Sequence, residues 1–144
     1  MSIWFQKKMP SLEEMNKRGE KTLFSLLEMK FTKIGENFVE ATMPISEKTM
    51  QPLGILNGGA TAAFVESIAS ASGNYCIDSS KYVAVGLSIN VSHLLSGYPG
   101  EARALLRAIH LGRRSQVWQV DVFQAEKQLA TARMTMMIIE RKSA

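Results

Sequence analysis

Charge is nearly missing from the middle of this chain. Between Lys48 and Asp78 the one charged residue is Glu66. Cysteine is almost absent too, and the lone Cys76 rules out an internal disulfide framework and fits a reducing compartment. Only two histidines occur, His93 and His110, separated without an acidic ligand pattern, so the expectation is no metal. The opening Met1-Ser-Ile-Trp-Phe-Gln-Lys-Lys has no apolar stretch of signal-peptide length. Leu53 to Ala71, interrupted by Asn57 and Glu66 and rich in Ala and Ser, would insert poorly into lipid. The expectation is therefore a soluble cytoplasmic protein. Net charge is +4, but the basic residues are scattered in pairs such as Lys7-Lys8 and Arg113-Arg114. Without a basic stripe interleaved with aromatics, a nucleic-acid partner is not expected.

What is present is enough apolar sequence, 46% of 144 residues, to build one domain over residues 1–144. Ser11-Leu-Glu-Glu14 matches a capping box and predicts a short helix over about 11–18. A helical turn follows at Thr22 to Leu27, then strands over 28–34 and 38–44 joined at Gly35-Glu36-Asn37. Pro44 to Leu56 reads as a loop into a long helix at 58–72. From Val83 to His93 apolar residues recur at every second position, which predicts a strand with one buried face. A turn at Ser96–Gly100 leads to a strand over about 102–111. Trp118, Val120 and Val122 alternate on the next, and Leu129 to Glu140 forms the last. This order predicts an α+β fold, an antiparallel sheet curled around one central helix.

Two features of that helix point to chemistry. Small or apolar residues surround Glu66 in sequence, so the helix reads as enclosed and its acid as costly to bury in ionised form. Gly58-Gly59 at the helix start leaves bare backbone N–H groups at a positive helix end. Ala62, Ala63 and Ser70 share the face of Glu66 and leave room beside it. The bland alternative is a salt-bridged core acid with small neighbours that allow close packing. Gly58 and Glu66 lie eight residues apart, about 12 Å along the axis. A reacting atom must lie within about 3–3.5 Å of each group. If both serve one reaction, one of them comes from a second copy of the chain, and a dimer is required.

The segment Gln51-Pro-Leu-Gly-Ile-Leu-Asn-Gly-Gly-Ala-Thr-Ala-Ala-Phe-Val-Glu-Ser-Ile-Ala-Ser70 resembles the signature of hotdog-fold acyl-CoA thioesterases. The nearest branch is that of 4-hydroxybenzoyl-CoA and phenylacetate-pathway thioesterases, with the enterobactin proofreading and 1,4-dihydroxy-2-naphthoyl-CoA enzymes. The likeness continues through Gly86-Leu-Ser-Ile-Asn-Val-Ser-His93 and His110-Leu-Gly-Arg-Arg-Ser-Gln-Val-Trp118. It implies Glu66 as the nucleophile or general base and the Gly58 N–H as the group that polarises the thioester carbonyl. Gln51 would assist at that carbonyl or at the water, and Ser70 would orient the water or the acid. His93 would lie near the acyl group, an aromatic or hydroxyaryl one, though a histidine on a strand is commonly just packed. Gly112 and Arg113 would contact the coenzyme A arm. No cofactor is implied, coenzyme A being part of the substrate, and the assembly would be a homotetramer built as a dimer of dimers.

The sequence departs from this branch at Asn57, where relatives commonly carry histidine. Asparagine donates a hydrogen bond but moves no proton near neutral pH, so a mechanism that needs an imidazole there is weakened. Asn57 also suits a plain helix N-cap. Besides the hydrolase, a non-catalytic acyl-CoA binder and a structural domain remain open at this stage.

Overall fold

A computed structural model describes residues 1–143. Its long helix lies against a six-stranded antiparallel sheet with strand order β1-β2-β4-β5-β6-β3. The strands are β1 (Lys30–Ile34), β2 (Phe38–Ile45), β3 (Tyr82–His93), β4 (Gly100–Leu111), β5 (Ser115–Gln124) and β6 (Lys127–Glu140). The helices are α1 (Leu12–Arg18), α2 (Leu23–Leu26) and α3 (Gly58–Asn74), preceded by a 3-10 turn at Phe5–Lys7 that the sequence reading did not anticipate.

Alternation works in the strands that carry the core. Val39, Ala41, Met43 and Ile45 of β2, Ala102, Ala104 and Leu106 of β4, and Trp118, Val120 and Val122 of β5 are buried at every second position. They close over Phe64, Val65, Ile68 and Ala69 of α3. The capping residue predicted for α1 is in place, since the Glu14 amide donates to Ser11 Oγ at 3.0 Å. The first strand begins at Lys30 rather than at residue 28. Glu28 takes a left-handed φ of 57° and the Met29 amide closes back onto the Phe24 carbonyl, which ends α2.

Two expectations are corrected. The helix is not enclosed: Thr61, Phe64, Val65, Ile68, Ala69, Ser72 and Gly73 are buried on one side, while Glu66 is exposed on the chain. Small residues around an acid in sequence do not say which face the sheet covers. Likewise β3 has no single buried face running through Val83 to His93. Its register against β6 slips between Gly86 and Ser88, a bulge that breaks the two-residue phase, and Leu87 is left 59% exposed. β3 also lies at the edge of the sheet, so no strand pairs with its outer side among the described residues.

The edge of β3 is interrupted at one place. Asn74, the last residue of α3, donates from Nδ2 to the Ala84 carbonyl and accepts at Oδ1 from the Ala84 amide, each at 2.9 Å. This clamp fixes the helix end on the strand and uses the outward backbone groups of Ala84. Beyond it, from Gly86 to His93, the edge is open.

Candidate active site

The helix start is built by its own cap. Asn57 Oδ1 accepts from the amides of Gly59 at 2.7 Å and Ala60 at 3.3 Å. The Asn57 amide in turn donates to the Thr49 carbonyl, and Thr49 Oγ1 donates to the Pro44 carbonyl, which pins the entering loop to the end of β2. Of the first three amides of α3, two are thus satisfied. The Gly58 N–H forms no hydrogen bond among the described residues. It stands at the positive end of a 17-residue helix.

Gly58 opens on a cleft of about 370 Å³ that it shares with Gln51, Thr61, His93 and Leu94. A side chain begun at Gly58 would stand 3.1 Å from Cε1 and Nε2 of His93, so the bare backbone is what keeps that corner open. Gln51 sits in a turn closed by Gly54, whose φ is +78°. Its Oε1 accepts from the Leu53 amide, which leaves its NH2 group free to donate. The structure therefore brings Gln51, Gly58 and His93 together in one cleft. Asn57 is adjacent, but its carbonyl oxygen is turned to the helix rather than the cleft.

The other expected residues lie elsewhere on the chain. Glu66 is two turns along α3, its carboxylate over the Cα of Gly86 in β3, and it forms no salt bridge among the described residues. Ser70, one turn further, lines a second cavity of about 310 Å³ with Ser67, Ala71, Phe24, Phe31 and Tyr75. The two phenylalanine rings stack there with centroids 5.2 Å apart. The Tyr75 hydroxyl is enclosed, with Arg18 and Glu14 as its polar neighbours, and burial raises its pKa. Gly112 and Arg113 line a third, open cleft with Tyr82, His110 and Arg114. Neither arginine is in a salt bridge among the described residues. The Gly112 amide donates to the Ser115 carbonyl, and a side chain there would crowd that oxygen and the His110 ring.

Along β3 these places fall in order. The Arg113 cleft adjoins its first residue, Glu66 rests over Gly86, and the Gly58 cleft adjoins its last residue. End to end the strand spans roughly 35 Å. Two residues with no role assigned from the sequence stand out, Gly86 and Asn74. A glycine inside an otherwise alternating strand was the signal available for the first.

An antiparallel sheet wrapped on one long helix, with that helix's free N-terminal amide opening on a cleft, places the chain in the hotdog class. Within that class the chain belongs to the thioesterase superfamily, which it matches over residues 53–131. It is 39% identical to the 1,4-dihydroxy-2-naphthoyl-CoA hydrolase of Escherichia coli, over 95% of this chain and 99% of that one. Identity to the proofreading thioesterase EntH of Cronobacter turicensis is 34%, over 92% and 96% of the two chains. Among solved structures, a mutant thioesterase from Pseudomonas aeruginosa superposes with a TM-score of 0.93 at 34% identity, covering 97% of this chain and all of that one. The chain is thus a thioester hydrolase by class. No helix among the described residues is long and apolar enough to cross a membrane.

Proposed function

We propose that this thioesterase hydrolyses acyl-CoA, with an aromatic or hydroxyaryl acyl group, at a site shared between two copies of the chain. The observation that carries the reading is the unengaged Gly58 amide in a cleft with Gln51 and His93. The thioester oxygen accepts from Gly58 N–H, with the Gln51 NH2 group as a second donor. Charge that develops on that oxygen is stabilised by groups already oriented toward it. Glu66 removes a proton from water, or attacks the carbonyl carbon itself to give an anhydride that water then opens. Either way the tetrahedral intermediate expels the coenzyme A thiolate, which leaves without help from an imidazole at position 57. Coenzyme A arrives with the substrate, and no cofactor has a part in these steps.

The open edge of β3 supports the shared site. A long unpaired edge is a template for another strand, and a second copy of β3 is its natural complement. Because the Asn74 clamp uses the edge at Ala84, the length available is Gly86–His93. Antiparallel pairing of two such edges about a two-fold axis takes a register that brings the Gly86 end of one copy alongside the His93 end of the other. That register draws Glu66 of one chain toward the Gly58 cleft of its partner, and the exposed acid is then covered. It also draws the Arg113 end of one β3 toward the other chain's cleft, where a coenzyme A phosphate would lie. The cavity of Phe24, Phe31 and Ser70 supports an aryl group.

The direct test is turnover of a panel of aromatic and aliphatic CoA thioesters by the native protein and by Glu66→Gln. The native protein should prefer aromatic substrates, and Glu66→Gln should lose at least a thousandfold in kcat with product binding retained. Normal turnover by a folded Glu66→Gln protein refutes the assignment. Binding of acyl-CoA without hydrolysis by the native protein would make it a carrier instead.

A further inference from the structure

Gly86 is a glycine without a backbone reason to be one. The glycines of this chain with positive φ are Gly54 and Gly100, so Gly86 adopts a conformation open to any residue. It sits inside a strand, where glycine weakens pairing and leaves nothing to pack. What Gly86 does have is a neighbour. A methyl group placed on it would overlap the Glu66 carboxylate at Oε1 and would stand 2.9 Å from the ε-methyl of Met134. The carboxylate of α3 is therefore seated on the bare Cα of β3.

The surroundings make that seat specific. Immediately after Gly86 the strand bulges, and the bulge steps the register against β6 before pairing resumes at Ser88. Bulges kink a strand and re-aim what stands on it. Met134, fully buried, supports the position from below. On the outer side both Gly86 and Glu66 are exposed, so the seat faces the open edge rather than the core. No hydrogen bond or salt bridge holds the Glu66 carboxylate among the described residues, which leaves shape as what places it.

We propose that Gly86 is a positioning residue for the thioesterase reaction: the absence of its side chain sets where the Glu66 carboxylate stands relative to the thioester. The inference rests on Glu66 being the catalytic acid. It goes further by assigning a role to a residue that has no side chain to take part in the reaction. The groups that a methyl at Gly86 would meet are both ends of flexible side chains. They can move aside at little cost to the fold, whereas a reacting group displaced by about 1 Å can lose about a hundredfold in rate.

The test is Gly86→Ala, read by steady-state kinetics on the best acyl-CoA of the panel and by urea unfolding. Expected is a fall in kcat of about a hundredfold with KM within about threefold and the unfolding midpoint close to native. Glu66→Asp, which withdraws the carboxylate by one methylene, is combined with it. The two changes should couple, Glu66→Asp costing less in the Gly86→Ala background than in the native one. If Gly86→Ala does not fold, the same pair is measured in Met134→Leu, which removes the ε-methyl from the crowded side. An unchanged kcat, or additive losses, overturns the role of Gly86 while leaving an inactive Glu66→Gln, and hence the reading of Glu66, intact. Activity retained in Glu66→Gln removes both.

Discussion

Asn74 holds Ala84 by both of its backbone groups, and its Nδ2 also donates to the Ser70 carbonyl at 2.9 Å. One side chain thus ends the long helix, anchors the first part of β3 and stops the open edge short of the strand's start. An asparagine is suited to this because its amide carries a donor and an acceptor side by side, the same pair a neighbouring strand would offer.

Asn74→Ala should therefore cost about 2–3 kcal/mol of stability, the sum of two or three partly buried hydrogen bonds at about 1 kcal/mol each. Equilibrium urea unfolding measures it. A loss below about 0.5 kcal/mol would mean that water replaces the clamp freely.

At the other end of α3, Asn57→Ala removes the cap of Gly59 and Ala60 and should lower stability by about 1 kcal/mol. Because its oxygen faces the helix, turnover should fall less than tenfold, and Asn57→His should be tolerated or slightly faster. A larger loss in a folded Asn57→Ala protein would show that the side chain touches the substrate.

Arg113 and Arg114 offer exposed guanidinium groups beside Gly112, free of salt bridges among the described residues. For Arg113→Ala we expect KM for acyl-CoA to rise about tenfold with kcat held, one charge-assisted contact being worth about 1.5 kcal/mol at an open surface. An acyl-N-acetylcysteamine thioester, which lacks the nucleotide phosphates, should show no such change. Equal effects on both substrates would remove the phosphate contact.

Burial pushes the Cys76 thiol up to about 12 from an ordinary value of 9.0. The folded state then holds its proton where the unfolded chain has lost it. This contribution is fully present below about pH 9 and is lost between about pH 9 and 12, at up to about 1.4 kcal/mol per pH unit. The gap in unfolding free energy between the native protein and Cys76→Ala should shrink by that slope as pH rises from 9 to 10.5. A gap that stays constant would show a thiol no harder to ionise in the fold. The native thiol should also resist alkylation at neutral pH.

How legible the site was depended on whether a role is local. Asn57 as a cap and Gly58 as a free helix-start amide follow from residue type and position alone, and the structure has the geometry for both. The place of Glu66 was legible only as a residue eight positions along. That it faces outward depends on which side of α3 meets β5 and β6, a choice spread over Phe64, Val65, Ile68 and Ala69 together. Alternation in β3 looked regular because apolar residues recur every second position, yet a one-residue slip against β6 divides the strand in two. Nothing in Gly86-Leu87-Ser88 alone forces that slip, since it depends on what the partner strand presents.

The chain's own order of residues determined the main element types, the capped start of the helix and membership of the thioesterase superfamily. These depend on near neighbours and on period, which a linear string carries completely. Tertiary structure alone decided that Gly86 lies beneath the Glu66 carboxylate, that Asn74 closes the edge at Ala84, and that Gln51, Gly58 and His93 share one cleft. Each of those joins residues distant in sequence whose meeting is settled by how the sheet curls and packs, an energy summed over the whole core and written in no single segment.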